Sequence, residues 1–158
     1  MNKAIDLPAH VDNPRVPAPE FTFRHMVPLQ LRFNDFDMLG HLNNAVYIQF
    51  FDLGKSHYFQ DVMDGTIEWR KINVVVVNIN CDYYAPTFIY EPVAVLTTVT
   101  KMGEKSFRLE QRIVNTDTGE VKSIARTIMA GFDVETGHSA PIEQRWIDAI
   151  SKFEGREL

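Results

Sequence analysis

The chain has 158 residues, 45% of them hydrophobic, with 16 basic and 21 acidic side chains and a formal net charge of −5. That length can bury one core, its eleven Phe and five Tyr argue against a disordered chain, and an acidic balance without a basic block disfavours a nucleic-acid partner. The single Cys81 excludes an internal disulfide and a thiolate zinc site, and neither an apolar signal core nor a run near the ~20 residues of a membrane span is present, so a cytoplasmic location with no membrane partner is expected.

Residues 1–20 read as a loosely ordered N-terminal extension, because four of the eight prolines (Pro8, Pro14, Pro17, Pro19) fall there. Residues 21–158 read as a single domain. From Phe23 the pattern becomes strict: Phe23, His25, Val27, Leu29, Leu31 and Phe33 share one parity, and Arg24, Met26, Pro28, Gln30 and Arg32 share the other. Period two marks a half-buried strand, with Pro28 at an edge or a break. His25, on the apolar parity, reads as a satisfied or interface histidine.

A polar loop over 34–43 comes next, with Asn43 as the N-cap of a following helix. Tyr47, Phe50, Phe51, Gly54, His57, Tyr58 and Val62 recur at helical steps. Gly54 costs about 1 kcal/mol inside a helix, which predicts close approach to another backbone. An aromatic helix of this kind needs a sheet to wrap it.

Ile72 to Ile79, nearly all β-branched, predicts a strand covered on both faces and continuing through Tyr83 towards Pro86. Pro92 to Lys101 is a Val- and Thr-rich strand, and Met102-Gly103-Glu104-Lys105 a turn. Phe107, Leu109, Gln111 and Ile113 alternate with charged residues, and Asp117-Thr118-Gly119-Glu120 has the Asp/Gly chemistry of a hairpin. Val121 to Val134 is the last strand. Pro141, Ile142, Trp146, Ala149, Ile150 and Phe153 predict a short amphipathic helix with Pro141 near its first position. Strand, helix, about four antiparallel strands and a small helix make an α+β layer fold, with a three-strand meander and the early helix over one face.

Chemistry concentrates in the loop. Asp37 precedes a helix N-terminus whose first N–H groups lack intrahelical partners and whose dipole favours developing negative charge. A carbonyl bound there would be polarised as in an oxyanion hole, and a carboxylate across it could attack or could activate water. The combination suggests acyl transfer to water. A capped, Asp-rich turn is the alternative. His10, His57 and His138 stand at no metal-ligand spacing, so neither metal nor cofactor is expected.

Phe33-Asn34-Asp35-Phe36-Asp37-Met38-Leu39-Gly40-His41-Leu42-Asn43-Asn44-Ala45-Val46-Tyr47 resembles the signature of hotdog-fold acyl-CoA thioesterases of the hydroxybenzoyl-CoA thioesterase type. Phe51-Asp52-Leu53-Gly54-Lys55 resembles that family's F-E-x-A-R segment, with Asp for Glu, Gly for Ala and Lys for Arg. Asp82-Tyr83 with Pro86, and Gly103-Glu104-Lys105-Ser106-Phe107, resemble its later strand end and hairpin, so the likeness spans residues 23–135.

The resemblance implies a hotdog fold, a central helix wrapped by an antiparallel sheet. It implies a homodimer with paired sheets, often a homotetramer, and active sites at the subunit interface. It assigns Asp37 as the catalytic carboxylate, nucleophile or general base, and Asn44 as the helix-start residue whose N–H polarises the thioester carbonyl. His41 joins them as a catalytic candidate. Asp35, Asn43, Tyr47 and Asp52 are binding candidates, with Asp35 also able to orient the loop and Tyr47 to pack the core. Lys105 and Ser106 match a hairpin that contacts the nucleotide end of coenzyme A. Lys101, Arg108, Arg112 and Arg126 are further phosphate candidates.

Four functions follow for comparison: an acyl-CoA thioesterase, an acyl carrier protein thioesterase, a hotdog dehydratase using His41 with Asp37, and a non-catalytic acyl-CoA-binding module. The D-x-D-x-x-G-H-x-N-N spacing favours the hydrolases.

Overall fold

The computed structural model describes residues 2–10 and 13–158; Met1, Val11 and Asp12, part of the N-terminal extension, lie outside the described residues. The strands are β1 (His25–Pro28), β2 (Val74–Tyr83), β3 (Val93–Met102), β4 (Ser106–Asn115) and β5 (Val121–Gly131), and the helices are α1 (Asn44–Val62) and α2 (Gln144–Glu154). All pairings are antiparallel, in the order β1-β3-β4-β5-β2. The β3-β4-β5 meander is the one read from the sequence. This is the hotdog arrangement, with α1 laid across one face of the sheet.

The register explains the two faces. Val93, Val95 and Ile113 meet Val46, Tyr47, Phe50 and Phe51 of α1 in one cluster, and Val99, Phe107 and Leu109 meet Tyr58, Phe59, Val62 and α2 in another. On the opposite face Leu96 and Val114 are covered by Phe23, Ile5 and Leu7. The N-terminal segment thus lies on the sheet without forming a helix or strand among its described residues, and a Cβ on Gly119 would stand 1.7 Å from the Pro8 carbonyl oxygen. Gly54 is the close approach the helix pattern required: a Cβ there would fall 2.5 Å from Val95 Cγ1. The contact is with side chains of β3 and β4 rather than with another backbone.

Several boundaries differ from expectation. The alternation over 23–33 yields only a four-residue edge strand, with Pro28 at its end where the nitrogen faces away from β3, and the Leu29 N–H makes one further bond to the Val93 carbonyl at 2.9 Å. β5 stops at Gly131, where the chain bends so closely under Ala140 that a Cβ would sit 2.1 Å from its carbonyl oxygen. Helix α2 begins at Gln144 with Glu143 as N-cap, so Pro141 precedes it by three residues rather than opening it. His57 is exposed, off the buried stripe of α1.

The largest correction concerns β2. It is an edge strand, not one covered on both faces: Val75, Val76, Val77 and Ile79 are 41, 44, 58 and 36% exposed. Among the described residues it pairs only with β5, and its ladder is bulged at Val77. Among the described residues no helix is long and apolar enough to cross a membrane.

Candidate active site at the start of the central helix

The loop from Arg32 to Asn43 is shaped by its backbone. The Asp37 N–H donates to the His41 carbonyl (3.0 Å) and the Gly40 N–H to the Asp37 carbonyl (3.0 Å), closing a tight turn in which Gly40 has φ +74°. A positive φ here suits glycine, which lacks the Cβ that would clash. The Asn43 N–H donates to the Asp35 carbonyl at 2.9 Å, and Phe36 bridges Leu42. Asp37 and His41 are therefore neighbours across the turn.

The two aspartates differ in environment. Asp35 is buried, and its carboxylate accepts the Arg32 N–H (2.8 Å) and Nη2 (2.9 Å). Burial alone would raise its pKa, but these donors and the guanidinium charge hold it below the ordinary carboxylate value. Asp35 is turned into the loop. Asp37 is exposed, and Oδ1 accepts the Leu39 N–H at 2.9 Å while Oδ2 meets no donor among the described residues.

The helix start leaves the Asn44 N–H free. Asn43 Oδ1 accepts the Ala45 N–H (2.9 Å), the N-cap bond expected from the sequence, and the Asn43 carbonyl accepts the Val46 N–H (2.9 Å). The Asn44 N–H between them meets no acceptor among the described residues. Asn44 lines a cleft of about 300 Å³ with His41, Leu42 and Tyr47 on one side and the segment Tyr83 to Pro86 on the other. Asp37 does not line that cleft within one protomer; its link to it is the His41 backbone pair.

Tyr47 is buried, its hydroxyl 2.8 Å from Thr87 Oγ1 and its ring edge-on to Tyr83 at 5.2 Å. Burial raises its pKa against the pull of Thr87 and Lys122. The Tyr83 hydroxyl donates to the Asn44 carbonyl (3.2 Å), and the His41 ring stands edge-on to Phe88 at 5.3 Å. Tyr83 was visible in the Asp82-Tyr83…Pro86 run, but Thr87 and Phe88 carry no local signal that would place them here.

The remaining candidates lie elsewhere in the chain. Asp52 sits about 12 Å further along α1 at 1.5 Å per residue, exposed and paired to Lys55 Nζ at 2.7 Å. The shortened acid thus still reaches the lysine one turn on. Lys105 and Ser106 are at the opposite end of the sheet: the Lys105 carbonyl accepts the Gly131 N–H, Ser106 pairs with Ala130, and Phe107 belongs to the cluster under α2. The length of α1, roughly 28 Å, separates them from Asp37 within one protomer. Arg112 is buried against Glu110 (2.7 Å) and over the Phe23 ring, and Arg126 reaches Asp82 and Glu110. Lys101, Lys105 and Arg108 remain exposed.

Comparison with known proteins adds to this geometry. Over 134 residues the chain is 27% identical to the uncharacterized protein YsmA of Bacillus subtilis (strain 168), covering 84% of this chain and 88% of that protein. It is 25% identical over 118 residues to the long-chain acyl-CoA thioesterase FadM of Escherichia coli (strain K12), covering 73% and 88%. The structure of a thioesterase from Thermus thermophilus complexed with coenzyme A and Zn is similar at a TM-score of 0.77 and 28% identity, covering 86% of this chain and 98% of that one. Residues 31–150 match the family model described as the thioesterase-like superfamily. That span runs from the Asp37 loop into α2, and the chain belongs to the thioesterase-like superfamily.

Proposed function

We propose that this protein is an acyl-CoA thioesterase, hydrolysing R-CO-S-CoA to a free acid and coenzyme A. Its thioester-hydrolase class follows from its family; the substrate and the residue roles are the proposal. The observation that carries it is the unpartnered N–H of Asn44, the residue that opens a 19-residue helix and lines a cleft beside the Asp37 turn. The helix dipole and that N–H would stabilise the negative charge that develops on a thioester oxygen.

Asp37 supplies the carboxylate. Either its oxygen attacks the carbonyl carbon, expelling the coenzyme A thiolate and leaving an anhydride that water cleaves, or it takes a proton from the water that attacks. In both routes the thiolate leaves and one water is consumed; its oxygen ends in the acid in the second route, and in the acid or in the Asp37 carboxylate in the first, according to which anhydride carbonyl the water attacks. His41 lies next to Asp37 across the turn and would orient the substrate or the water. Coenzyme A in complex with the Thermus relative supports the same class of leaving group here.

A homodimer completes the proposal. β2 presents an unpaired backbone edge flanked by exposed Val75, Val77 and Ile79, a surface that proteins rarely leave open. Antiparallel pairing of two β2 edges would set the Tyr83 end of one protomer beside the Val74 end of its partner. Val74 pairs with Gly131, whose neighbour Ala130 pairs with Ser106. The hairpin carrying Lys105 and Ser106 would then come to the neighbouring site from the partner subunit, with Lys105 free to meet a phosphate. The cytoplasmic location expected from the sequence belongs to the same proposal.

The test is thiol release from short, long and aromatic acyl-CoAs and from acyl carrier protein, run beside a mass measurement in solution. Release from acyl-CoA by a dimeric species supports the proposal. Release only from acyl carrier protein would replace the substrate, and an active monomer would remove the shared site.

A further inference from the structure

A buried cation lies next to the cleft and has no part in the chemistry above. Lys122, on β5, has 3% of its side chain exposed. Its Nζ donates to the Pro86 carbonyl at 3.0 Å, to Glu91 Oε1 at 2.6 Å and to Glu120 Oε1. Its own carbonyl accepts the N–H groups of Tyr84 (2.9 Å) and Ala85 (3.3 Å). Glu91 extends the hold: Oε2 accepts the Phe88 N–H at 2.8 Å and Oε1 the Asn115 side-chain amide at 3.1 Å. Residues 84–91, of which Tyr84 to Pro86 line the cleft, thus hang on Lys122 and its carboxylate partner.

This segment in turn sets the helix start. Thr87, fully buried at its centre, accepts the Leu42 N–H at 2.9 Å through its carbonyl and meets the Tyr47 hydroxyl at 2.8 Å through Oγ1. Leu42 and Tyr47 bracket Asn43 and Asn44. A buried ion pair adds little net stability over well-packed apolar side chains. What an apolar pair could not supply is a donor for the Pro86 carbonyl and an acceptor for the Phe88 N–H, the two bonds that fix the loop. Burial pulls the Lys122 ammonium down, but Glu120 and Glu91 hold it above its ordinary value. Burial pushes the Glu91 carboxyl up, and Lys122, Phe88 and Asn115 hold it below. Both partners stay charged through neutral pH.

We propose that Lys122 is a positioning residue for thioester hydrolysis: with Glu91 it fixes the 84–91 segment, and through Thr87 it aims the Asn44 N–H at the carbonyl. The inference rests on the role given to Asn44 under Proposed function. Ångström-scale displacement of a polarising donor costs up to ~100-fold in rate, so Lys122→Met should lower kcat by about ten- to a hundredfold with KM little changed.

The test pairs those kinetics with amide hydrogen exchange. In Lys122→Met the Leu42 N–H should exchange faster while Ile150, in α2, keeps its protection. Glu91→Gln combined with Lys122→Met removes both charges and keeps one amide oxygen as acceptor for the Phe88 N–H, so it serves if the single variant does not fold. Wild-type kcat and wild-type Leu42 exchange in a folded variant would overturn the proposal. So would loss of protection shared equally by Ile150, which marks a merely structural role. If wild type hydrolyses no thioester, the proposed function fails, and Leu42 exchange still decides whether Lys122 holds the helix start.

Discussion

The two ends of α1 are built in different ways. At its C-terminal end side chains interlock: Phe59 stands edge-on to Phe107 and Trp146 at 5.9 and 5.6 Å, and Tyr58 to Phe153 at 5.4 Å. The buried Glu154 carboxylate there accepts the Tyr58 hydroxyl (2.6 Å), the Thr98 hydroxyl (2.9 Å) and the Val99 N–H (3.1 Å). At the N-terminal end backbone hydrogen bonds shape the loop, Met38 is 100% exposed, and the Asn44 N–H has no acceptor among the described residues. One end carries stability. On the proposed function the other keeps polar groups available to a substrate, which requires leaving them unpaired in the free protein.

That division can be broken from either side. Phe107→Ala should cost about 3–5 kcal/mol, as for other buried Phe truncations, and lower Tm while leaving kcat per folded molecule unchanged. A parallel fall in kcat at a temperature where the variant is folded would show that the ends are not separable. Gly54→Ala, midway along the helix, should destabilise by about 1–3 kcal/mol through overpacking against Val95, outweighing the ~1 kcal/mol gain in helix propensity. A rise in Tm would show that Val95 moves aside. Asn43→Ala should cost about 1 kcal/mol by losing the cap. Unlike the other two it should also lower kcat, because it frees the first turn beside the donor; unchanged kcat would separate cap from site.

The smallest effect is a slope. His25 is buried at the closed end, with Nε2 3.2 Å from Asp61 Oδ2 and its ring edge-on to Tyr58. Burial lowers its pKa below 6.5 despite the pull of Asp61, and His57 adds to the lowering. The unfolded chain then binds more protons between the lowered value and 6.5, so stability is full above 6.5 and falls with acidification through that window. His25→Gln should flatten the dependence of Tm on pH there. An unchanged slope would place the titrating group elsewhere.

The sequence revealed what is set locally and missed what depends on distant pairing. The turn at Gly40, the cap at Asn43, the free helix start at Asn44 and the tight packing at Gly54 all follow from residues within a few positions of one another. β2 beside β5 and Thr87 beneath Leu42 join segments tens of residues apart, with no periodicity to mark them. Lys105 and Ser106 were grouped with Asp37 by motif alone, and motif carries no distance; in one chain they stand at opposite ends of the sheet. The β-branched run over Val74–Val77 signals burial, but not whether the cover comes from the same chain. His57 falls within a wide aromatic arc where helical spacing alone does not separate buried from exposed.

The most direct test of the account is Asp37→Asn, which keeps the shape of the side chain and removes its charge. Thiol release from acyl-CoA should fall by about a thousandfold or more, in line with the loss of a catalytic nucleophile or base, at unchanged Tm and oligomeric mass. Release near the wild-type rate would contradict the assignment of Asp37 and leave the open end of α1 without its chemistry.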